Sequence, residues 1–218
     1  MSKAASSVSI IGGSDGPASI FLVGKKYREK NPIKRFKQLY HIKKHQYKLN
    51  RVKKFIQPGA YTLEDTICYM EETFGIREAD FTSPYYDVNR REMRFALVQR
   101  ERIDLLPKQP ELDEIHDKEA VAGWLSELDE WEKQARAIVE KLPPEVLNMD
   151  YRLFVLDKGE DGSMQVDMEM NRGLMQVQYS GTGFGSIQKA IYLYYGVSKE
   201  DITDKTERYQ NLVTVLAL

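Results

Sequence analysis

The chain has 218 residues, 42% of them hydrophobic and 30% charged, so it is long enough to bury a sizeable core. This composition excludes long-range disorder, a collagen-like repeat and a disulfide-dense scaffold. The single cysteine, Cys68, excludes an internal disulfide and any zinc site that needs two thiolates from one chain. No signal peptide and no apolar run long enough to span a bilayer is recognised, so we expect a soluble, cytoplasmic protein.

A glycine-rich turn between two short apolar runs, SIIGGSDGPASIFLVG, lies near the start of the chain. One interpretation is a ligand site, in which backbone N–H groups hold an anion or Asp15 and nearby carbonyls hold a cation. The other is a strand-to-helix turn, with Asp15 as a cap and Pro17 in the first helical turn. The candidate ion-binding or anion-binding residues are Gly12, Gly13, Asp15 and Gly16.

The same segment resembles the GGxDGPT-type segment of the beta subunit of sodium-translocating decarboxylases, the membrane part of the oxaloacetate, methylmalonyl-CoA and glutaconyl-CoA pumps. The resemblance implies a role in sodium movement for Asp15, and Ala18 stands where that family has threonine. It covers about sixteen residues, and the charged chain after Lys26 departs from the family, so we expect no decarboxylase activity from this chain alone. The whole chain also resembles a family of small, soluble bacterial proteins that share this opening and have no assigned function.

Residues 25–54 form a basic arm with thirteen Lys or Arg residues and one acid, Glu29. Its net charge of +12 leaves −13 for the remaining residues, because the whole chain carries −1. Ile33, Phe36 and Tyr40 have helical spacing, which predicts an amphipathic helix that begins near Pro32. The cations expected to contact a partner are Lys34, Arg35, Lys37, Lys43, Lys44, Lys48 and Arg51.

Three kinds of partner fit this basic arm. The first is an acidic protein surface, either a separate partner, the chain's own acidic body or a second copy of the chain. The second is RNA or single-stranded DNA, because cations track phosphates and aromatic rings stack on bases. The third is an anionic membrane surface. The chain carries no RNP, zinc-finger or KH signature.

Three helices are predicted between residues 62 and 141. In the first, Thr62 and Asp65 predict a capping box and Gly75 a left-handed end. Ser83 is the predicted N-cap of the second, with Pro84 in its first turn. The third spans 118–141 and has one continuous apolar face. Two of its members, Trp124 and Trp131, are seven residues apart, which is typical of core packing or of a partner interface.

After residue 150 the hydrophobic period changes to two. YRLFVLDKGEDGSMQVDMEM predicts two strands around a turn, and LMQVQYSG predicts a third. Val166 and Met168 alternate with Asp167 and Glu169, which predicts one buried face and one face in water. Two helices follow, over residues 185–195 and from Ser198 to the end. The predicted class is therefore α+β, with a helix-rich N-terminal half and a C-terminal three-stranded antiparallel sheet that has helices on one face.

Composition predicts three segments, residues 1–57, 58–110 and 111–218, and the alternative joins the last two into one domain. No catalytic residue, cofactor or metal is predicted. His41 and His45 have metal-compatible spacing without a nearby acid, and Cys68 is expected to be a small packing residue. The glycine-rich loop YSGTGFGS fits either a phosphate site or a plain turn. We therefore expect a non-enzymatic interaction module, with nucleic-acid binding by residues 25–54 and ion or phosphate-ligand binding at residues 12–17 as alternatives.

Overall fold

The structure is a computed structural model that describes residues 32–111 and 118–218. The predictions made for Gly12, Gly13, Asp15 and Gly16 lie outside the described residues. Helices and short strands alternate along the first half of the described chain, and longer strands follow. The helices are α1 (Pro32–Lys53), α2 (Leu63–Phe74), α3 (Tyr86–Glu101), α4 (Lys118–Lys141), α5 (Phe184–Tyr195), α6 (Lys199–Asp204) and α7 (Glu207–Ala217). The strands are β1 (Gly59–Ala60), β2 (Arg77–Glu78), β3 (Tyr151–Asp157), β4 (Gly162–Glu169), β5 (Leu174–Gly181) and β6 (Gly196–Val197).

The predicted mixture of helices and antiparallel strands is confirmed, but the predicted three-stranded sheet is wrong. The sheet has four antiparallel strands in the order β2-β3-β4-β5. The extra strand, β2, places Arg77 opposite Val155. A second sheet has two strands, β1 and β6, with Ala60 opposite Gly196. Strands of two residues contain no alternation, so the hydrophobic period could not reveal them.

Packing divides the described residues into two compact units. The first unit takes residues 32–61 and 185–218, which contain α1, β1, nearly all of α5, β6, α6 and α7. The second unit, Thr62–Phe184, contains the four-stranded sheet with α2, α3 and α4. The sequence-based division at residues 57 and 110 follows composition and stays a prediction.

The apolar face of α4 lies in the hydrophobic core of the second unit. Trp131, Ala135 and Val139 are buried there against Phe95 and Val98 of α3. These positions recur at the three- and four-residue spacing that predicted the helix. Helix α4 ends at Lys141, as expected from the sequence.

Both tryptophans of α4 hold the proline-containing segment that precedes it. Trp131 Nε1 donates a hydrogen bond to the carbonyl oxygen of Pro107 at 2.8 Å. Trp124 Nε1 donates to the carbonyl oxygen of Pro110 at 3.3 Å. Each indole N–H thus finds a backbone carbonyl of this segment as its hydrogen-bond partner. The seven-residue spacing is explained by contacts within the second unit.

The helix caps agree with the sequence at α2 and differ at α3. Thr62 and Asp65 form the predicted capping box, and Gly75 takes a left-handed conformation with φ 70°. At α3 the N-cap residue is Tyr85, whose side chain makes no cap hydrogen bond. The prediction that Ser83 is the N-cap is therefore wrong. The carbonyl oxygen of Ser83 accepts a hydrogen bond from Tyr86 N within a turn.

The single C-terminal helix expected after Ser198 is two helices. Ser198 and Asp201 form a capping box at the start of α6, as predicted. The helix then ends at Asp204, its C-cap residue Lys205 has φ 53°, and Thr206 caps α7. The Thr206 hydroxyl also donates to Asp201 Oδ1 at 2.6 Å. Local side-chain hydrogen bonds thus compete with continuation of the helix. The spacing of apolar residues in the sequence does not reveal this competition.

Strand β4 carries two acidic residues that are buried, contrary to the prediction that their face lies in water. Asp167 is 3% exposed and Glu169 is fully buried. The neighbours Leu153 and Phe154 on β3 point to opposite faces and are both fully buried. The centre of the sheet is therefore covered on both faces, whereas helices were expected on one face only.

Candidate nucleic-acid interface

Helix α1 concentrates positive charge on a single straight element. It spans 22 residues, Pro32–Lys53, which is about 33 Å at 1.5 Å per residue. Eight of its residues are Lys or Arg, and none is Asp or Glu. Arg51 and Lys53 lie in the last turn, where cations interact favourably with the helix dipole.

One side of α1 packs within its unit and the rest of the helix is exposed. The helix contacts α7, and Leu49 and Val52 are half-buried. Every described side chain from Ile33 to Lys48 is exposed. The free length of the helix therefore presents its side chains to solvent.

Three aromatic residues lie on the side of α1 that faces away from this packing. At 100° per residue, Phe36, Tyr40 and Tyr47 fall within about 40° of one another, and we call them the aromatic stripe. Leu49 and Val52 lie about 140–160° around the helix from the middle of the stripe. The exposed fractions of the three rings are 72%, 56% and 68% in chain order. The three rings therefore point to solvent.

Cations border the aromatic stripe on both sides. On the same helical projection Lys43 lies about 40° to one side of the centre of the stripe and Lys44 about 60° to the other. Both side chains are exposed. Among the described residues of this unit, no ion pair includes Lys43 or Lys44. The positive charges beside the rings are thus not neutralised by a carboxylate of the described part of this unit.

The predicted contact cations stand on one helix. Lys37, Lys43, Lys44, Lys48 and Arg51 are exposed positions of α1. The backbone of Lys34 and Arg35 belongs to the same helix, and their side chains lie outside the described part. The member that sequence reasoning did not place in the stripe is Tyr47, although its seven-residue spacing from Tyr40 carried the signal.

No family model, curated protein or solved structure matches this chain. Within residues 32–111 and 118–218 no three His, Cys, Asp or Glu residues come together as a possible metal centre. Over the same ranges, no helix combines the length and the hydrophobicity that crossing a bilayer requires.

The other candidates from the sequence do not form a reactive centre. The His41 ring meets the Tyr40 ring edge-on at 5.9 Å, and both histidines of α1 are exposed. Cys68 is exposed on α2, so its expected packing role is wrong. At the end of β5 and in the loop after it, Gly181 and Gly183 have φ values of 93° and 88°. These positive φ values are sufficient to explain why glycine occupies both positions.

A buried acid–phenol pair lies in the second unit and was not expected. Tyr151 Oη donates to Asp167 Oδ1 at 2.5 Å, and Asp167 Oδ2 has no hydrogen-bond partner among the described residues. Burial is the main cause that raises the pKa of Asp167, and the hydrogen bond from Tyr151 opposes it. Because the carboxyl group is 3% exposed, a substrate cannot reach it in this conformation. We assign the pair a structural role.

Proposed function

We propose that this protein binds single-stranded nucleic acid through α1. The observation that carries the proposal is the aromatic stripe, which is exposed on the side of a basic helix opposite its packing side and lies between Lys43 and Lys44. Single-stranded RNA and DNA offer the two chemistries that this surface complements. Their phosphates pair with cations, and their unpaired bases stack on exposed rings.

A nucleic acid fits the surface better than an acidic protein partner does. Carboxylates would satisfy the cations and leave the rings of Phe36, Tyr40 and Tyr47 without a stacking partner. A duplex would likewise hide its base faces from those rings. Only a strand with unpaired bases uses both the charge and the ring faces, and stacking contributes about 1–3 kcal/mol per base.

The test is a fluorescence anisotropy titration of the full chain against labelled 20-nucleotide oligo(rU) and oligo(dT) at 50 mM salt. We expect saturable binding with a dissociation constant of about 10 μM or tighter, as for sequence-independent contacts at low salt. A duplex of mixed sequence is expected to bind more weakly, because its bases are not free to stack.

Two variants separate the contributions of rings and charges. Replacing Phe36 and Tyr40 with alanine should weaken oligo(rU) binding by about tenfold or more. Reversing two charges with Lys43→Glu and Lys44→Glu should weaken it further at low salt. The matched control is the double variant Lys199→Glu and Lys205→Glu, which reverses two exposed charges of the same unit outside α1 and should bind as the unaltered chain does.

Poly-glutamate of similar length distinguishes a nucleic acid from an acidic protein. If poly-glutamate binds as tightly as oligo(rU), or if the alanine variant binds oligo(rU) unchanged, the proposal is wrong. The expected cytoplasmic location belongs to the same proposal, since single-stranded RNA is accessible there. Ion or phosphate binding at residues 12–17, and the sodium role that the decarboxylase resemblance implies for Asp15, stay predictions.

A further inference from the structure

The first unit contains an open groove that the nucleic-acid proposal does not use. Its volume is about 860 Å³, within the range of small-molecule sites. The end of α1, β1, α5 and the end of α7 supply the lining residues, and all of them belong to this unit. The inside is apolar, with Val52 of α1 facing Leu212 and Leu216 of α7.

Aromatic and aliphatic surface continues to the edge of the groove. The rings of Tyr61 and Tyr194 stack with their centroids 4.3 Å apart and their planes 13° from parallel. Phe55 is 71% exposed and Leu193 56% exposed, and both line the groove. Large apolar side chains that line a concavity and remain this exposed indicate surface that a ligand can still cover.

The ionisable side chains that line the groove are of one sign. Its lining includes Lys48 and Arg51 from α1 and Lys189 from α5, and no Asp or Glu side chain. None of the three cations forms an ion pair with another described residue of this unit. Lys189 is half-buried and lines the groove. An anion held there would be screened less than one on an open surface.

We propose that this groove binds a single-chain amphipathic anion of the long-chain fatty-acid class. The acyl chain would cover Val52, Phe55 and Leu216, and the carboxylate would pair with the cations. A peptide is a poorer occupant, because its backbone N–H and C=O groups would need partners that apolar side chains do not offer. An acyl chain has no such groups, and each buried methylene favours binding.

The experiment titrates the full chain with 11-(dansylamino)undecanoic acid and follows the rise and blue shift of dansyl fluorescence. Laurate is then used to displace the probe, with 1-dodecanol as the neutral equivalent and butyrate as the short-chain equivalent. We expect laurate to displace the probe at about 10 μM. The concentration of dodecanol that displaces the probe should be at least about fivefold higher, because dodecanol lacks the charge. Butyrate should not compete.

Two variants place the ligand in this groove. Lys189→Glu should weaken laurate binding about fivefold or more, and Leu193→Asp should do the same from an exposed position that folding does not require. The control is Lys199→Glu, an exposed cation of α6 outside the groove lining, which should bind laurate unchanged. Equal displacement by laurate and dodecanol, or full binding by both groove variants, overturns the proposal.

The result is independent of nucleic-acid binding. The Lys43→Glu and Lys44→Glu variant changes no residue that lines the groove and should retain laurate binding while it loses oligo(rU). A chain that binds oligo(rU) but shows no saturable dansyl signal up to about 100 μM contradicts the groove proposal alone.

Discussion

Tyr151 and Asp167 meet across two neighbouring strands through a 2.5 Å hydrogen bond from the phenol to the carboxylate. Asp167 is the register partner of Leu153, so Tyr151 reaches it diagonally on the same face of the sheet. The Tyr86 ring packs edge-on against Tyr151, with centroids 5.3 Å apart. Burial raises the pKa of both Tyr151 and Asp167, and the neighbouring carboxylate adds to the rise at Tyr151.

The first prediction concerns the pH dependence that this pair gives to stability. The unfolded carboxyl of Asp167 titrates near its ordinary pKa of 3.8, and the folded one titrates higher. Between these two values the folded state holds a proton that the unfolded state has lost, so the free energy of unfolding falls as pH rises. Above the folded pKa the whole penalty is present. We expect Asp167→Asn to remove this fall and to stabilise the chain by about 1 kcal/mol at neutral pH.

Urea unfolding of both proteins from pH 3.5 to pH 8 measures this effect. The difference between them should grow as pH rises and then level off. Asp161→Asn, an exposed carboxylate of the same hairpin, serves as the control. A stability difference that is constant with pH would show that the ionised form of Asp167 is not penalised by burial.

The second prediction concerns Glu169, which is fully buried. Its Oε1 accepts from Asp150 N at 3.0 Å and its Oε2 from Arg172 N at 2.7 Å. Glu169→Gln keeps the volume but turns one acceptor into a donor that faces a backbone N–H. We expect a loss of about 2 kcal/mol in the free energy of unfolding, measured by urea denaturation. Glu160→Gln, at an exposed position, should change stability by less than about 0.5 kcal/mol.

The third prediction concerns Arg208, which holds the backbone of the first unit near β6. Its Nε donates to the carbonyl oxygen of Gly196 at 2.7 Å, and its Nη2 donates to the carbonyl oxygens of Tyr61 and Tyr195. The guanidinium also lies 3.5 Å from the centroid of the Tyr195 ring. Lysine keeps the charge but not the planar fork, so Arg208→Lys should cost about 2 kcal/mol. Thermal unfolding followed by circular dichroism tests this, and an unchanged melting temperature would contradict it.

The fourth prediction concerns Gly196, which has φ 60° in β6. A Cβ atom at this position would lie 1.9 Å from the carbonyl oxygen of Gly59, so alanine requires the backbone to move. We expect Gly196→Ala to cost about 2 kcal/mol or more. Gly59→Ala is the matched control on the paired strand, since its Cβ would meet no atom within 4 Å. Equal destabilisation by both changes would show that the contact with the Gly59 carbonyl oxygen is not the cause.

The fifth prediction separates phosphate contacts from stacking on α1. For single strands the logarithm of the binding constant falls with the logarithm of salt concentration, with a slope of about −0.7 for each neutralised phosphate. Lys43→Glu with Lys44→Glu should therefore make the slope shallower by about 1.4. Phe36→Ala with Tyr40→Ala should lower affinity and leave the slope unchanged, because ring stacking releases no counterions. Anisotropy titrations between 50 and 300 mM salt decide this, and a shifted slope in the alanine variant would argue against stacking.

Local patterns anticipated most of the elements and part of the candidate site. The capping residues Thr62 and Ser198 and the apolar face of α4 act over a few residues, so their meaning does not depend on distant neighbours. The basic arm was likewise predicted from the concentration of Lys and Arg residues in the sequence. The short strands β1, β2 and β6 were not, since two residues carry no period and are held only by pairing with distant segments.

The sequence by itself determined where helices and longer strands form and that positive charge is concentrated before residue 55, because propensity, capping and charge are local properties. Only the tertiary structure decided which faces are covered. Asp167 alternates as a residue in water would, yet it is buried beside Tyr151, sixteen positions away in the chain. Phe36 and Tyr40 have the spacing of a core face, yet they are exposed because α1 packs through Leu49 and Val52. A period shows that two faces differ, and the partner that packs against one of them decides which is buried.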